Sequence, residues 1–277
     1  MISIVKMNFS VCMSVYHGDN ALFFREALES IFSQSRKPDE VVLVVDGPVT
    51  TEIDVVIEEY CHKDTPLVVI RLAQNSGHAI ARQTGLDAAR YEYTAIMDSD
   101  DIAVQDRFEK QMAYIESHPE VDVVGGQINE FIGEPSNVVG SRIVPLEDSE
   151  IKTYLKSRCP MNLVTVMLKK KSVQKAGGYI DWYCEEDYYL WVRMVEQGML
   201  FANLQNNLVN VRVGDEMYQR RGGVKYFKSE ARLQKYMFRQ GIISLPRYLY
   251  NVTGRFVVQV TMPNKVRGFV FQKLFRK

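Results

Sequence analysis

The chain has 277 residues, is 46% hydrophobic and 25% charged, and balances 34 Lys+Arg against 34 Asp+Glu. Those values belong to a globular protein and exclude a disordered, collagen-like or low-complexity chain. No uninterrupted apolar run reaches the ~18 residues of a spanning helix. Lys6 and Asn8 break the N-terminal stretch, so no signal peptide is expected either.

The zero net charge conceals an asymmetry. Residues 225–277 hold 12 Lys+Arg and a single acid, Glu230, a balance of +11 that the rest of the chain offsets. An acidic body with a basic tail suggests two tasks. Cys12, Cys61, Cys159 and Cys184 form no CxxC pair. They fit reduced thiols better than a disulfide frame or a zinc site.

In chain order, Phe9 to Tyr16 reads as a first strand, followed by a helix capped by Asp19 or Asn20 with Phe24, Leu28 and Ile31 on one face. Glu40 to Val45 is a Val/Leu run suited to a buried parallel strand, ending in Asp46-Gly47-Pro48. A helix from Thr51 carries Ile53, Val56, Ile57 and Tyr60. Leu67 to Ile70 reads as a third strand, and Asn75-Ser76-Gly77 opens a helix with a thin face of Ala81, Gly85 and Ala88/Ala89. Tyr93 to Met97 is the fourth strand, with a helix expected from Val104 to Ser117. Strand and helix thus alternate three times before a further strand, which predicts a doubly wound, mostly parallel α/β sheet flanked by helices. The first turn, Val15-Tyr16-His17-Gly18-Asp19-Asn20, lacks GxGxxG, which argues against a dinucleotide-binding dehydrogenase.

After Val121 to Gly125, a fifth strand, the pattern loosens. Residues 133–144 look like loops and short strands, Leu163 to Leu168 is strand-like, and Gly177-Gly178 makes a break. Cys184-Glu185-Glu186-Asp187 heads a helix that runs to about Gln197, with Gly198 placed to end it. Leu208 to Val213 alternates like an edge strand.

Between the fourth strand and its helix stands Asp98-Ser99-Asp100-Asp101. Ligands bind at the carboxyl rim of such sheets, and carboxylates crowded there repel unless a cation sits among them. Aspartate oxygens suit Mg²⁺ or Mn²⁺, which commonly accompany a diphosphate. A capped loop would use the same residue types. Asp46 falls on the same rim.

These residues resemble the inverting family 2 glycosyltransferases with the GT-A fold. Within them they are similar to bacterial enzymes of O-antigen, capsule and amylovoran-type exopolysaccharide synthesis. The features that carry the resemblance are Asp46, Asn75-x-Gly77-x-x-x-Ala81-Arg82, the DxD-type Asp98-Ser99-Asp100, and Glu186-Asp187 ahead of Leu190-Trp191-Val192-Arg193. The match runs from about Phe9 to Gly223. It implies a GT-A domain over 1–223 and a basic, aromatic-rich helical extension over 224–277.

The resemblance also implies roles. Asp46 accepts a hydrogen bond from a uracil imide. Val15, Tyr16, Asn75, Gly77, Arg82 and Ser99 line the donor pocket, Arg82 bringing charge near phosphate. Asp100 is a direct metal ligand and Asp98 contacts the ribose or the metal, with Mn²⁺ or Mg²⁺ as the cofactor. Asp187 is the general base, with Glu186 as its alternative. Arg220 and Arg221 reach the diphosphate on a flap hinged at Gly222-Gly223, or form a solvated turn. The implied reaction moves a hexose or N-acetylhexosamine from a UDP-sugar to a polyprenyl-diphosphate-linked oligosaccharide. It would take place on the cytoplasmic face of a bacterial inner membrane, with the basic tail on the membrane surface and no nucleic acid involved. Two positions depart from the pattern: Gln83 replaces a common Asn, and Asn162-Leu163 stands where several relatives carry Asn-His. Two rivals stay open here. A sugar-nucleotide pyrophosphorylase would open with a Gly-rich basic loop, which Tyr16 to Asn20 is not. The other is a non-catalytic nucleotide-sugar-binding partner.

Overall fold

The computed structural model describes residues 7–214 and 222–262. The parallel half is built from β1 (Phe9–Val15), α1 (Ala21–Phe32), β2 (Glu40–Val45), α2 (Thr51–Cys61), β3 (Leu67–Arg71), α3 (His78–Ala88) and β4 (Tyr93–Met97). Next come β5 (Ile102–Ala103), α4 (Arg107–Ser117), β6 (Val123–Phe131), β7 (Val138–Arg142), α5 (Asp148–Leu155), β8 (Met167–Lys169), α6 (Lys170–Lys175), α7 (Glu186–Glu196) and β9 (Phe201–Arg212). Helices α8 (Val224–Arg239) and α9 (Leu245–Phe256) follow, and α9 runs into a π-turn, Val257–Thr261.

Among the described residues the nine strands form one sheet in the order β3-β2-β1-β4-β8-β6-β9-β5, with β7 paired to β6. The first four are parallel, β8 is antiparallel to both β4 and β6, and β6 and β9 are parallel. Strands β1, β2, β4, β6 and β9 therefore all end on one rim. Two cores lie on the two faces of the sheet. Along β1, Phe9, Val11, Met13 and Val15 join the first with α1, α2 and α4, while Cys12 faces the second with α3, α5 and α7. This is the period-2 alternation of a strand buried on both sides.

The expected helix from Val104 starts three residues later, at Arg107. Ile102 and Ala103 pair instead with Asn210 and Val209, and the Val104 amide donates to the Leu208 carbonyl at 2.9 Å. Leu163–Thr165 is a 3₁₀ turn rather than strand, held by the Thr165 amide and hydroxyl, which both donate to the Asn162 carbonyl. Leu208 to Val213 is not an edge: it is the second half of β9, between β6 and β5. Gly198, at φ +73°, ends α7 as its position predicts.

The small face of α3 sets how closely that helix approaches the sheet. A Cβ on Gly85 would overlap the Cys12 sulfur and press on Val44. Gly→Ala inside a helix gains up to about 1 kcal/mol in propensity, but overpacking against a sheet centre costs about 1–3 kcal/mol. Gly85→Ala is expected to lower the urea unfolding midpoint, since overpacking is the larger effect.

Candidate active site

The rim opens into a cleft of about 1150 Å³ that is lined by Val15, Tyr16, Asp46, Asn75, Gly77, Arg82, Asp98, Ser99, Asp100, Glu186 and Asp187. Eleven residues singled out from the sequence thus meet on one surface. Arg220 and Arg221 lie outside the described residues.

Asp46 follows β2 and is buried. Its Oδ1 accepts from the Ser76 amide at 2.6 Å and its Oδ2 from the Gly77 amide at 3.0 Å. The carboxylate therefore shapes the turn into α3 and keeps only its remaining lone pairs for a ligand. Gly47, at φ +86°, lets the chain pass so close to Asn75 that a Cβ would strike the Asn75 amide nitrogen. Tyr16 and Asp19 form the floor on the β1 side, where Asp19 Oδ2 accepts from the Tyr16 amide at 3.1 Å and the Ser99 hydroxyl at 2.8 Å.

Arg82 is the hub. It leaves the buried face of α3, and its Nη2 donates to Asp98 Oδ1 at 3.2 Å while Nη1 donates to Glu186 Oε1 at 3.0 Å. Burial opposes its charge, but Asp98, Tyr179, Glu186 and Asp187 outweigh burial and hold its proton more firmly than usual. One guanidinium thereby joins the acidic turn after β4 to the head of α7.

The acidic turn is itself clamped by Arg212 at the end of β9. The Arg212 amide donates to Asp101 Oδ1 at 2.9 Å and its Nε to the Asp100 carbonyl at 3.2 Å. Its Nη2 reaches Glu26 at 2.5 Å, and its guanidinium lies over the rings of Phe23 and Phe131. Burial, then the Asp98 and Asp19 carboxylates, push the Asp100 carboxyl up to about 6. Asp101 is raised by burial and by Asp100 and Asp98. Beneath the turn, Arg107 is fully buried and donates from Nη2 to the Ile96 carbonyl at 2.9 Å.

At α7, Glu186 is committed to Arg82, and its acidity is weakened by burial and by Asp187. Asp187 Oδ1 accepts from the Tyr188 amide at 2.7 Å, and the Cys159 thiol points at Asp187 Oδ2 from 3.8 Å. The Cys159 carbonyl in turn accepts from Arg142 Nη2 at 2.7 Å. Arg142 also lines the cleft, and among the described residues no acid forms an ion pair with it.

Asp19, Glu26, Arg142, Cys159 and Arg212 are the site residues that sequence reading missed. None sits in a motif, and they are drawn together from five separate segments. The signal available was the carboxyl-rim rule applied to the ends of β1 and β9, for Asp19 and Arg212; Arg142 ends β7, which runs antiparallel to β6 and away from that rim. Among the described residues the cleft is lined by ten carboxyl groups, three guanidiniums and the His78 imidazole. Among the described residues no three His, Cys, Asp or Glu side chains converge as a self-contained metal nest. The Asp98 and Asp100 carboxylates both line the cleft, and oxygen donors of that kind are what a hard divalent ion would take if a ligand completed its shell.

The family profile described as Glycosyl transferase family 2 matches residues 10–175. An "Uncharacterized glycosyltransferase" of Haemophilus influenzae is 43% identical over 98% of this chain and 100% of its own length. The UDP-Gal:alpha-D-GlcNAc-diphosphoundecaprenol beta-1,3-galactosyltransferase of Escherichia coli is 34% identical over 97% of each chain. A mannosyltransferase of Pyrobaculum calidifontis, solved with GDP-Man and Mn²⁺, aligns with a TM-score of 0.64 at 16% identity, covering 95% of this chain and 73% of that one. At that identity the likeness shows the fold, which is GT-A.

Glu185 precedes this acidic pair and is buried, its carboxyl raised well above the usual range by burial and then by Glu230 and Asp187. The folded state thus holds a proton that the unfolded chain releases above about pH 4.3. Stability from this group is full below that pH and is lost as pH rises toward the folded value. Glu185→Gln is therefore expected to raise the thermal midpoint at pH 8, with the gain shrinking toward pH 5 in a melting series.

Proposed function

The chain belongs to glycosyl transferase family 2, and on that premise we propose that it is a metal-dependent, inverting enzyme that moves a hexose or N-acetylhexosamine from a UDP-sugar to a lipid-linked oligosaccharide. The observation that carries this reading is the Arg82 bridge, which puts the acidic turn and the head of α7 on one cleft with Asp46. The family assignment favours a transferase over the pyrophosphorylase and the non-catalytic partner.

A UDP-sugar is a dianion, and among the described residues ten carboxyl groups line the cleft against three guanidiniums. Such a surface repels the donor unless a cation intervenes. Asp100 and Asp98 would hold it. A bound divalent ion would neutralise charge growing on the departing diphosphate, an effect worth several kcal/mol. Mn²⁺ in the Pyrobaculum enzyme supports this choice. Asp46 and Asn75 take the nucleoside end and favour uracil. Arg220 and Arg221 are proposed to reach the diphosphate.

Asp187 takes the proton of the acceptor hydroxyl. As that proton leaves, the hydroxyl oxygen bonds to the anomeric carbon and the bond from that carbon to the β-phosphate oxygen breaks. UDP departs with the electron pair. No second carboxylate acts as nucleophile, so a single displacement turns an α-linked donor into a β-glycoside. Glu186 serves less well as the base because Arg82 already holds it at 3.0 Å.

The diphosphoundecaprenol acceptor of the Escherichia coli relative supports a lipid-diphosphate acceptor here. Transfer would then occur on the cytoplasmic face of the inner membrane, with the chain peripheral. Among the described residues no helix is long and apolar enough to cross a membrane. Arg142, which has no acid partner among the described residues and is linked through Cys159 to Asp187, stands on the acceptor side and suits its phosphate.

Asp187→Asn is expected to keep UDP-sugar binding, read by calorimetry with Mn²⁺, and to lower kcat by about 10²–10⁴-fold. Undiminished transfer would remove Asp187 as the base. Arg142→Ala is expected to raise KM for a sugar diphosphate lipid about tenfold or more while leaving KM for a neutral glycoside acceptor unchanged. Equal effects on both acceptors would remove Arg142 from phosphate recognition.

A further inference from the structure

Helix α9 is inside out. The only residue of the helix that is buried is a polar one, Asn251, whose Nδ2 donates to Gln234 Oε1 at 2.7 Å and to the Lys156 carbonyl at 2.9 Å. Arg255 also turns inward, with Nη2 donating to the Ser157 carbonyl at 2.7 Å and Nε 3.2 Å from Glu230. The outer face carries the apolar side chains: Leu245 is 51% exposed, Leu249 54%, Tyr250 73% and Phe256 45%. At ~100° per residue, the arc from Leu245 through Phe256 and Leu249 to Tyr250 spans roughly 140° and contains no charged residue. A helix packed on a globular body normally shows the reverse arrangement.

The partner helix supplies the charge. In α8, Lys225, Lys228, Arg232, Lys235 and Arg239 are all exposed and recur at i, i+3, i+7, i+10 and i+14. That spacing confines them to roughly 80° of the helix. The one acid of α8, Glu230, is turned inward to Arg255. The two helices lie antiparallel, since Phe227 meets Phe256 and Phe238 stacks on Tyr248. One rigid pair therefore offers an apolar stripe and a basic row.

We propose that this pair is a membrane-docking surface: α9 seats its apolar arc among the acyl chains at the interface of an anionic bilayer, and the α8 row binds the lipid phosphates. Charge complementarity selects the occupant, because a basic row beside an uncharged apolar arc matches anionic headgroups over hydrocarbon. The pair is also fastened to the segment ahead of Asp187. Arg232 lies over the Trp182 ring at 4.1 Å and Lys225 over Tyr183 at 3.9 Å, the Ser229 hydroxyl donates to the Tyr183 carbonyl at 2.6 Å, and the Trp182 indole donates to the Ser229 carbonyl at 3.3 Å. Docking thus fixes the acceptor side of the cleft against the bilayer. The proposal deepens the reading of a lipid-linked acceptor and rests on it only for its biological purpose.

The test is flotation of the full chain with phosphatidylglycerol vesicles and with phosphatidylcholine vesicles, beside transfer to a water-soluble acceptor. The wild type is expected to bind phosphatidylglycerol at least about tenfold better, with the preference falling at high salt. Leu245→Glu/Leu249→Glu and, separately, Lys228→Glu/Lys235→Glu are expected to lose that binding about tenfold while keeping soluble transfer and helical circular dichroism. Wild-type levels of flotation in both variants, or no wild-type binding, would overturn the proposal. So would loss of binding only when the chain is cut after Met262, which would assign the membrane to the last 15 residues. A leucine variant that turns a dimer into a monomer by ultracentrifugation would assign the stripe to a second copy instead. Absence of soluble transfer in the wild type would sink the enzymatic reading and leave the docking result standing.

Discussion

A single buried guanidinium holds the active cleft together. Arg82 comes from α3, yet its two donors end on Asp98 after β4 and on Glu186 at the head of α7. A buried charge is tolerable only when paired, and removing one member strands the others at a cost of several kcal/mol. The acidic turn and the head of α7 are therefore not independently placed. Their separation is set by the reach of one fork, whose root is fixed by the close packing of α3 on β1 and β2. Gly85 makes that packing possible.

The same logic runs outward from the fork. Arg212 closes the acidic turn from the far side, using its own amide on Asp101 and its side chain on Glu26. Two arginines thus hold the acidic turn and the carboxylates around it, and both are spent on protein groups. Among the described residues, what remains facing the cleft is a surplus of carboxyl groups, and burial with the neighbouring Asp98 and Asp19 pushes the Asp100 carboxyl up to about 6. That surplus is what the proposed divalent ion would offset. The proposed metal-assisted departure of a nucleoside diphosphate rests on this charge balance more than on any one ligand position.

The C-terminal helices belong to this arrangement rather than trailing from it. Leu233, Met237 and Ile243 enter the same core as Trp191 and Leu190 of α7. Glu230 and Arg255 sit close enough to Glu185 to act on its carboxyl, Glu230 weakening its acidity and Arg255 strengthening it. Whatever α8 and α9 touch is thereby felt at the head of α7, which gives a physical route from an outer surface to the cleft.

The local pattern of the chain determined a good deal. Alternating Val/Leu runs and amphipathic helices specify the βα repeats, because strand and helix periods are written in neighbouring residues. The acids at strand ends, Asp46 and the run from Asp98 to Asp101, could be placed on one rim from the repeat alone, since parallel strands share a direction, while Asn75-x-Gly77 and Glu186-Asp187 were tied to the site by the family resemblance. Tertiary structure decided the rest. Whether Val104 begins a helix or extends β5 depends on Leu208, a partner more than a hundred residues away. The antiparallel β8 and the interior place of β9 follow from pairings that no local period encodes. Arg142, Cys159, Asp19 and Arg212 became site residues only when separate segments met. The inward turn of Asn251 was settled by partners on α8 and beyond α5, so that α9 shows its apolar side outward, where its own sequence shows only an ordinary amphipathic helix.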